Sequence, residues 1–151
     1  MDTGTTLPDV CVTMADGTKL ALPSLTGAPA VIYFYPKADT SGCTREALDF
    51  SALGEAFGGV AVIGVSKDAP AKLGKFAAKH GLTVRLASDE SGAACEAFGV
   101  WGEKMLYGRT YMGIERATFL FGADGRLQRD WRKVKVPGHA QAVLDAARAL
   151  G

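Results

Sequence analysis

The sequence predicts an α/β fold, with a central mixed β-sheet flanked by helices and a β-hairpin at the N-terminus. Two apolar runs rich in β-branched residues, 31–35 and 60–66, are typical of strands buried on both faces of a sheet. The connection between them is long enough for a right-handed helical crossover, so these two strands should be parallel. Turn signals near both ends of the chain predict antiparallel hairpins, which make the sheet mixed.

The elements follow in a simple order. A polar leader, residues 1–6, should be flexible, and the first hairpin turns at Asp16-Gly17. Helical periodicity and chain punctuation then predict helices over residues 40–57, 70–80, 90–98 and 136–150. The remaining strands are predicted over residues 10–14, 19–22, 84–87, 117–121 and 126–131. Residues 101–115 show no clear period and are predicted to form a long loop.

Composition excludes several classes of function. The 151 residues carry 17 basic and 16 acidic side chains, a net charge of +1, so neither nucleic acid nor an anionic membrane is an expected partner. The length suits a single domain over residues 1–151, and no apolar run approaches the roughly 20 residues that span a bilayer. Because the N-terminus lacks the basic and apolar regions of a signal peptide, we expect a cytoplasmic protein.

Three cysteines, Cys11, Cys43 and Cys95, form neither a disulfide framework nor a zinc-ligand pattern. Cys43 differs from the other two because it lies in the first turn of a predicted helix, at the carboxyl end of a buried parallel strand. Free backbone N–H groups and the helix dipole stabilise an anion there, which predicts a nucleophilic thiolate. The chain has no Cys-x-x-Cys motif, which argues against a disulfide reductase.

The neighbours of Cys43 suggest a reaction with a small oxygen substrate. The Thr40 hydroxyl can both donate and accept a hydrogen bond in the same pocket. Pro36 ends the preceding strand and offers an apolar wall that shields the sulfur from water. The same proline also serves as a plain strand breaker.

Together, Pro36, Thr40 and Cys43 fit Pro-x-x-x-Thr-x-x-Cys, and the chain resembles the peroxiredoxins that carry this active-site signature. The run from Tyr33 to Lys37 and Gly42-Cys43-Thr44 are similar to the bacterioferritin comigratory protein, or peroxiredoxin Q, branch. The resemblance extends over residues 7–150. It implies a thioredoxin-like fold and a thiol peroxidase that reduces hydrogen peroxide and organic hydroperoxides without a cofactor or metal. It also implies thioredoxin or a similar thiol as the reductant, and a branch that is often monomeric.

Arg116 matches the position of the family's essential arginine. A guanidinium keeps its charge and presents a planar fork of donors, so it can stabilise a thiolate and bind a peroxide oxygen. In the implied reaction, Cys43 attacks the peroxide and becomes a sulfenic acid, while Thr40, Arg116 and the Cys43 N–H stabilise the leaving oxygen. A different class of function stays open, a redox sensor in which oxidation of Cys43 changes a partner interface without sustained turnover.

The resolving step departs from the branch. Members that carry a resolving cysteine five residues after the peroxidatic one have it where this chain has Leu48, and a second known position corresponds to Ala77. We therefore expect an external thiol to reduce the sulfenic acid. Cys95 is the next candidate, although it reads more simply as structural, and Cys11, interpreted as a core residue, is the last.

Aromatic and apolar residues are concentrated in the predicted loop at Trp101, Tyr107, Tyr111 and Met112. They either form the wall of the peroxide access route or pack beneath the loop, and the sequence does not favour one interpretation over the other.

Overall fold

The computed structural model describes residues 1–150. The strands are β1 (Cys11–Met14), β2 (Lys19–Ala21), β3 (Ala30–Phe34), β4 (Ala61–Ser66), β5 (Arg85–Ser88), β6 (Trp101–Leu106), β7 (Arg109–Ile114), β8 (Ala117–Phe121) and β9 (Leu127–Trp131). The α-helices are α1 (Ser41–Ala52), α2 (Gly54–Phe57), α3 (Pro70–His80), α4 (Ala93–Ala97) and α5 (His139–Ala149). A short 3-10 helix, Leu22–Leu25, follows β2.

Seven strands form one mixed sheet in the order β2-β1-β5-β4-β3-β8-β9. Strands β3, β4 and β5 run parallel at its centre, with Val31 opposite Val62 and Gly64 opposite Leu86. The outer strands are antiparallel to their neighbours, as two hairpins require. The predicted mixed sheet, the parallel central pair and both hairpins are therefore confirmed.

Each face of the sheet carries its own apolar core, because successive side chains of a strand point to opposite faces. Val31 and Tyr33 of β3 face the core built with α1, α2, α3 and α5. Ile32 and Phe34 face the other core, which is built with α4 and the N-terminal strands. Cys43 belongs to the first core and Cys95 to the second, so the sheet separates the two sulfur atoms.

A close contact fixes α1 on the sheet. The Tyr33 ring lies across Gly64 of β4, where a Cβ atom would be 2.5 Å from the ring carbon Cζ and the hydroxyl oxygen. The other side of the ring stacks on Phe50 of α1, with ring centroids 4.6 Å apart. Glycine at position 64 therefore lets the tyrosine ring pack between the sheet and the helix that carries Cys43.

Several helix boundaries differ from the prediction. The helix predicted over residues 40–57 is divided at Leu53 into α1 and α2, and Gly54 begins the second piece. The helix predicted from residue 136 starts at His139, since Pro137 and a left-handed Gly138 precede it. The helix predicted over residues 90–98 is limited to α4, whose first residue follows a left-handed Gly92.

The predicted long loop at residues 101–115 is wrong, because this segment forms the β6–β7 hairpin outside the main sheet. Most side chains of both strands are exposed or half-buried, so the hairpin has no buried face and no apolar alternation in the sequence. Its turn uses Tyr107 and Gly108, both at positive φ, whereas Asn-Gly is the usual sequence signal for such a turn.

Two predictions concern the N-terminal segment, the flexible leader and the core position of Cys11. The leader contacts β9, with the Gly4 N–H donating to the Leu127 carbonyl and the Leu127 N–H donating to Thr5. Cys11 is exposed, so its interpretation as a core residue is wrong. Val12 and Met14 of β1 point into the core, and alternation places Cys11 on the outer face.

Within residues 1–150, every helix is too short or too polar to cross a bilayer.

Candidate active site

Cys43 occupies the first turn of α1, after the end of β3. The first backbone hydrogen bond of this turn runs from the Thr44 N–H to the Thr40 carbonyl, at 2.8 Å. The N–H groups of residues 41–43 precede that bond and point toward the N-terminal end of the helix, where a negative charge is favoured. Only 2% of Cys43 is exposed, so its sulfur lies in a largely water-excluded position at this helix end.

Arg116 reaches the sulfur from the residue that precedes β8. Its Nη2 atom donates to Cys43 Sγ at 3.3 Å, and its Nη1 atom donates to Glu46 Oε1 at 2.7 Å. The same guanidinium lies 3.3 Å from the position a Cβ atom would occupy at Gly42. The planar fork thus contacts the sulfur and a carboxylate at once, an arrangement that a lysine ammonium does not reproduce.

Glu46 is a site residue that the sequence analysis missed. It lies one helical turn after Cys43, on the same face of α1, and is 1% exposed. Burial raises the pKa of Glu46 to about 7, although the Arg116 guanidinium opposes the shift. The sequence signal for Glu46 was its spacing from Cys43, since residues three apart on a helix are neighbours. A half-buried Arg116 also needs an anionic partner.

The loop between β3 and α1 is held by two carboxylates. Asp68 Oδ2 accepts the Ala38 N–H at 2.7 Å and the Ser66 hydroxyl at 2.8 Å, which fastens the loop to the end of β4. Asp39, at φ 63°, pairs with Lys79 and His80 at the end of α3, each at 2.8 Å. These contacts fix the path of the chain into the first turn of α1.

Thr40 and Pro36 lie in the same loop. The Thr40 hydroxyl donates to the Lys37 carbonyl at 2.8 Å, so its proton is occupied and its oxygen lone pairs are left for another donor. Pro36 is half-buried and lines a cavity of about 460 Å³ between this loop and the β6–β7 hairpin. Trp101, Tyr111 and Met112 also line this cavity, whereas Tyr107 is 95% exposed at the hairpin turn.

A buried histidine packs against Phe50 of α1, the helix that carries Cys43. His139, the first residue of α5, shares a hydrogen bond of 2.7 Å between its Nε2 atom and Thr118 Oγ1. Its ring meets Phe50 and Trp131 edge to face. Burial lowers the pKa of His139 to about 4, and the Arg116 charge acts in the same direction. The ring is therefore neutral at physiological pH.

The other two cysteines lie away from Cys43. Cys95 is fully buried on the opposite face of the sheet, and burial raises the pKa of its thiol far above the usual range. Its N–H donates to Asp89 Oδ2 at 2.8 Å, which holds the start of α4 in place. Cys11 is exposed on β1, and the three thiols are free. Within residues 1–150, no group of three or more His, Cys, Asp or Glu side chains is arranged to hold a metal ion.

The site and fold define a class of protein. A free thiol lies in the first turn of a helix at the end of a parallel strand, and a guanidinium contacts its sulfur. Such surroundings favour a reactive thiolate. Together with a thioredoxin-like mixed sheet, this arrangement is that of a thiol peroxidase.

Comparison with known proteins agrees with this class. The profile of the AhpC/TSA family matches residues 3–129, and the chain belongs to this family, the peroxiredoxins. It is 46% identical to peroxiredoxin Bcp of Xanthomonas campestris over 143 residues, which cover 93% of this chain and 89% of that protein. It is also 42% identical to peroxiredoxin Bcp of Bacillus subtilis over 152 residues, covering 99% and 97% of the two chains.

Solved structures extend the likeness to the whole fold. Bacterioferritin comigratory protein of Xanthomonas campestris, studied for alkyl peroxide reduction in trapped intermediate and ligand complexes, superposes with a TM-score of 0.90 at 44% identity, covering 98% of each chain. BcpB of Mycobacterium tuberculosis superposes with a TM-score of 0.87 at 32% identity, covering 100% of this chain and 99% of that one. The predicted family, fold and peroxidase activity are confirmed.

Proposed function

We propose that the Cys43 thiolate reduces hydrogen peroxide and organic hydroperoxides, and that an external thiol, thioredoxin or another, then reduces the resulting sulfenic acid. The observation that carries the assignment of Cys43 is the 3.3 Å contact between Arg116 Nη2 and Cys43 Sγ at the N-terminus of α1. Organic hydroperoxides are included because the similar Xanthomonas campestris protein is described for alkyl peroxide reduction.

In the first step, the Cys43 thiolate attacks the distal oxygen of the peroxide in line with the O–O bond. An S–O bond forms and the O–O bond breaks, so Cys43 becomes a sulfenic acid and the leaving oxygen takes a proton to give water or an alcohol. The peroxide is reduced by two electrons and the sulfur is oxidised by two. No cofactor takes part in this balance.

Arg116 and the first turn of α1 stabilise the charge as it moves from sulfur to the leaving oxygen. Donors that are already in place cost no reorganisation during the step, and the buried position strengthens their effect. Thr40 accepts a hydrogen bond from the O–H of the peroxide, because its own proton is held by the Lys37 carbonyl. Pro36 contributes an apolar wall that limits water around the sulfur.

The second step needs a thiol from outside the chain. The sheet lies between Cys43 and Cys95, and a disulfide requires their Cα atoms within about 7 Å. Cys11 is exposed on the outer face of β1, and strands β5 and β4 lie between β1 and β3 in the sheet. Because the proposed site residues all belong to one chain, a monomer is sufficient for the reaction, with residues 1–151 as one domain. The cytoplasm is the proposed location, since it supplies the thiols that the cycle needs.

Peroxide consumption with a continuous supply of thiol tests the proposal. Cys43→Ser should abolish consumption, while Cys95→Ala and Cys11→Ser, checked for folding by urea denaturation, should retain it with thioredoxin or dithiothreitol present. Consumption that stops after one equivalent per chain would instead indicate a sensor. Full activity of Cys43→Ser would overturn the assignment of the nucleophile, and loss of activity in folded Cys95→Ala would overturn the external-thiol cycle.

A further inference from the structure

Three lysines surround the cavity beside the site. Lys37, Lys67 and Lys104 line a cavity of about 460 Å³ that Pro36 and Ile114 also line, and we refer to it as the lysine cavity. Pro36 belongs to the loop that leads to Cys43, and Ile114 is two residues before Arg116. Lys104 lies close enough to Arg116 and Cys43 for both charges to act on its amine.

The charges of the lysine cavity are not balanced within it. Lys67 Nζ lies 4.1 Å above the centre of the Trp101 ring, and within residues 1–150 none of the three amines has a carboxylate at ion-pair distance. Asp68 also lines the cavity, but its oxygens are taken by the Ala38 N–H, the Ser66 hydroxyl and Lys72. The cavity therefore presents a net positive charge together with apolar walls.

This cavity has the size and chemistry for a small anionic molecule. A volume of about 460 Å³ falls in the range of small-molecule sites, which is roughly 300–1,000 Å³. The proposed cycle requires an external thiol next to Cys43, because Cys95 lies on the opposite face of the sheet and Cys11 is exposed on β1. Cations beside a reactive sulfur raise the local concentration of an anionic reactant and its rate of encounter.

We propose that the lysine cavity binds the external reductant, and that this reductant is a small thiol that bears carboxylates. The inference rests on the proposed function. Two lysine ammonium groups hold the carboxylates, Trp101 and Met112 contact the carbon chain, and the thiol is directed at the Cys43 sulfenic acid. The third amine, of Lys104, stabilises the attacking thiolate.

The chemistry balances with two molecules of the thiol. The first thiolate attacks the sulfur of the sulfenic acid, an S–S bond forms, the S–O bond breaks, and the hydroxide leaves as water with the proton of the thiol. A second thiolate attacks the small-molecule sulfur of this mixed disulfide, which releases the Cys43 thiolate and a symmetrical disulfide. Two thiols are oxidised for each peroxide reduced.

Three small thiols of different charge test the inference: mercaptosuccinate, 2-mercaptoethanol and cysteamine. The Cys11→Ser protein, which lacks the exposed thiol, is first oxidised with one equivalent of hydrogen peroxide, and formation of the Cys43 sulfenic acid is verified by mass. The rate of mixed-disulfide formation is then measured by quenching and intact mass, and corrected to thiolate concentration. We expect mercaptosuccinate to react about tenfold faster than 2-mercaptoethanol and cysteamine to react more slowly than either, with the difference falling at high salt.

Removing two charges gives the matched comparison. In Lys37→Gln/Lys67→Gln the advantage of mercaptosuccinate over 2-mercaptoethanol, measured on the same protein, should fall to within about twofold. The control, Lys19→Gln/Lys75→Gln, has the same net charge but changes exposed lysines away from the cavity, and should keep the advantage.

Equal rates for the three thiols, or the same loss of preference in both double variants, would overturn the inference and leave the peroxidase assignment intact. A protein in which Cys43 is not oxidised by the peroxide would overturn the proposed function itself.

Discussion

Arg116 links the Cys43 sulfur to the Glu46 carboxylate. One nitrogen donates to Cys43 Sγ and the other to Glu46 Oε1, so the Glu46 side chain helps to fix the orientation of the guanidinium toward the sulfur. Glu46 is a positioning residue, since it acts through Arg116 and does not contact the sulfur.

Arg116→Lys should lower the second-order rate of Cys43 oxidation by hydrogen peroxide about 100-fold or more. A lysine retains the positive charge but cannot present two fixed donors to Sγ and Oε1 at once. Stopped-flow oxidation with substoichiometric peroxide measures this rate, and Arg109→Lys, on the exposed strand β7, is the matched control. A rate within about threefold of the wild-type value would show that positive charge alone suffices.

At the scale of elements, the loop before α1 and the helix itself depend on contacts from distant parts of the chain. Asp68 is the main support: its side chain is 9% exposed, and one of its oxygens accepts both the Ala38 N–H and the Ser66 hydroxyl. The ion pairs of Asp39 are more exposed and contribute less to stability.

Asp68→Ala should lower the free energy of unfolding by about 2 kcal/mol, because it leaves a backbone N–H and a hydroxyl without their acceptor. The rate of Cys43 oxidation should fall as well, since the loop no longer fixes the first turn of α1. Asp39→Asn serves as the control, with a change below about 1 kcal/mol, because asparagine tolerates positive φ and the lost pairs are solvent-exposed. Urea denaturation measures the free energy of unfolding of both variants. An equal loss of this free energy in the two variants would contradict the role assigned to Asp68.

Local sequence signals predicted most elements of the sheet and failed where tertiary packing decides. The β3 and β4 runs are apolar on both faces, so their burial could be read directly. The β6–β7 hairpin lacks a buried face and turns at Tyr107-Gly108, so neither periodicity nor turn chemistry revealed it.

The candidate site was predictable to a similar extent. Cys43, Thr40 and Pro36 are close in sequence, and Arg116 followed from the family resemblance. Glu46 was missed because its partner lies 70 residues away along the chain. His139 was missed because burial at the start of α5 and a hydrogen bond to Thr118 depend on how α5 packs on the sheet.

Two buried groups give the whole molecule opposing contributions to the pH dependence of its stability between about pH 4.5 and 7. The folded pKa of Glu46 is raised to about 7 from 4.5, so its contribution is fully present below pH 4.5 and is lost as pH rises toward 7. The folded pKa of His139 is lowered to about 4 from 6.5, so its contribution is present above pH 6.5 and is lost as pH falls toward 4. Between about pH 5 and 6.5 the two contributions to stability change in opposite directions.

Glu46→Gln should expose the slope of His139. The free energy of unfolding of the variant should rise by about 2 kcal/mol between about pH 5 and 6.5, while that of the wild-type protein changes little over the same window. Urea denaturation at several pH values measures the difference. Parallel profiles for the two proteins would show that Glu46 does not titrate with a raised pKa in the folded state.

The fate of Cys43 after one equivalent of hydrogen peroxide distinguishes the proposed cycle from one that uses an internal resolving cysteine. Peroxide is added to the reduced protein without any external thiol, dimedone traps sulfenic acid, and peptide mass spectrometry locates the products. We expect a dimedone adduct on Cys43, with Cys95 and Cys11 still reduced and no intramolecular disulfide. A disulfide between Cys43 and Cys95, or a sulfenic acid on a cysteine other than Cys43, would contradict the proposed cycle.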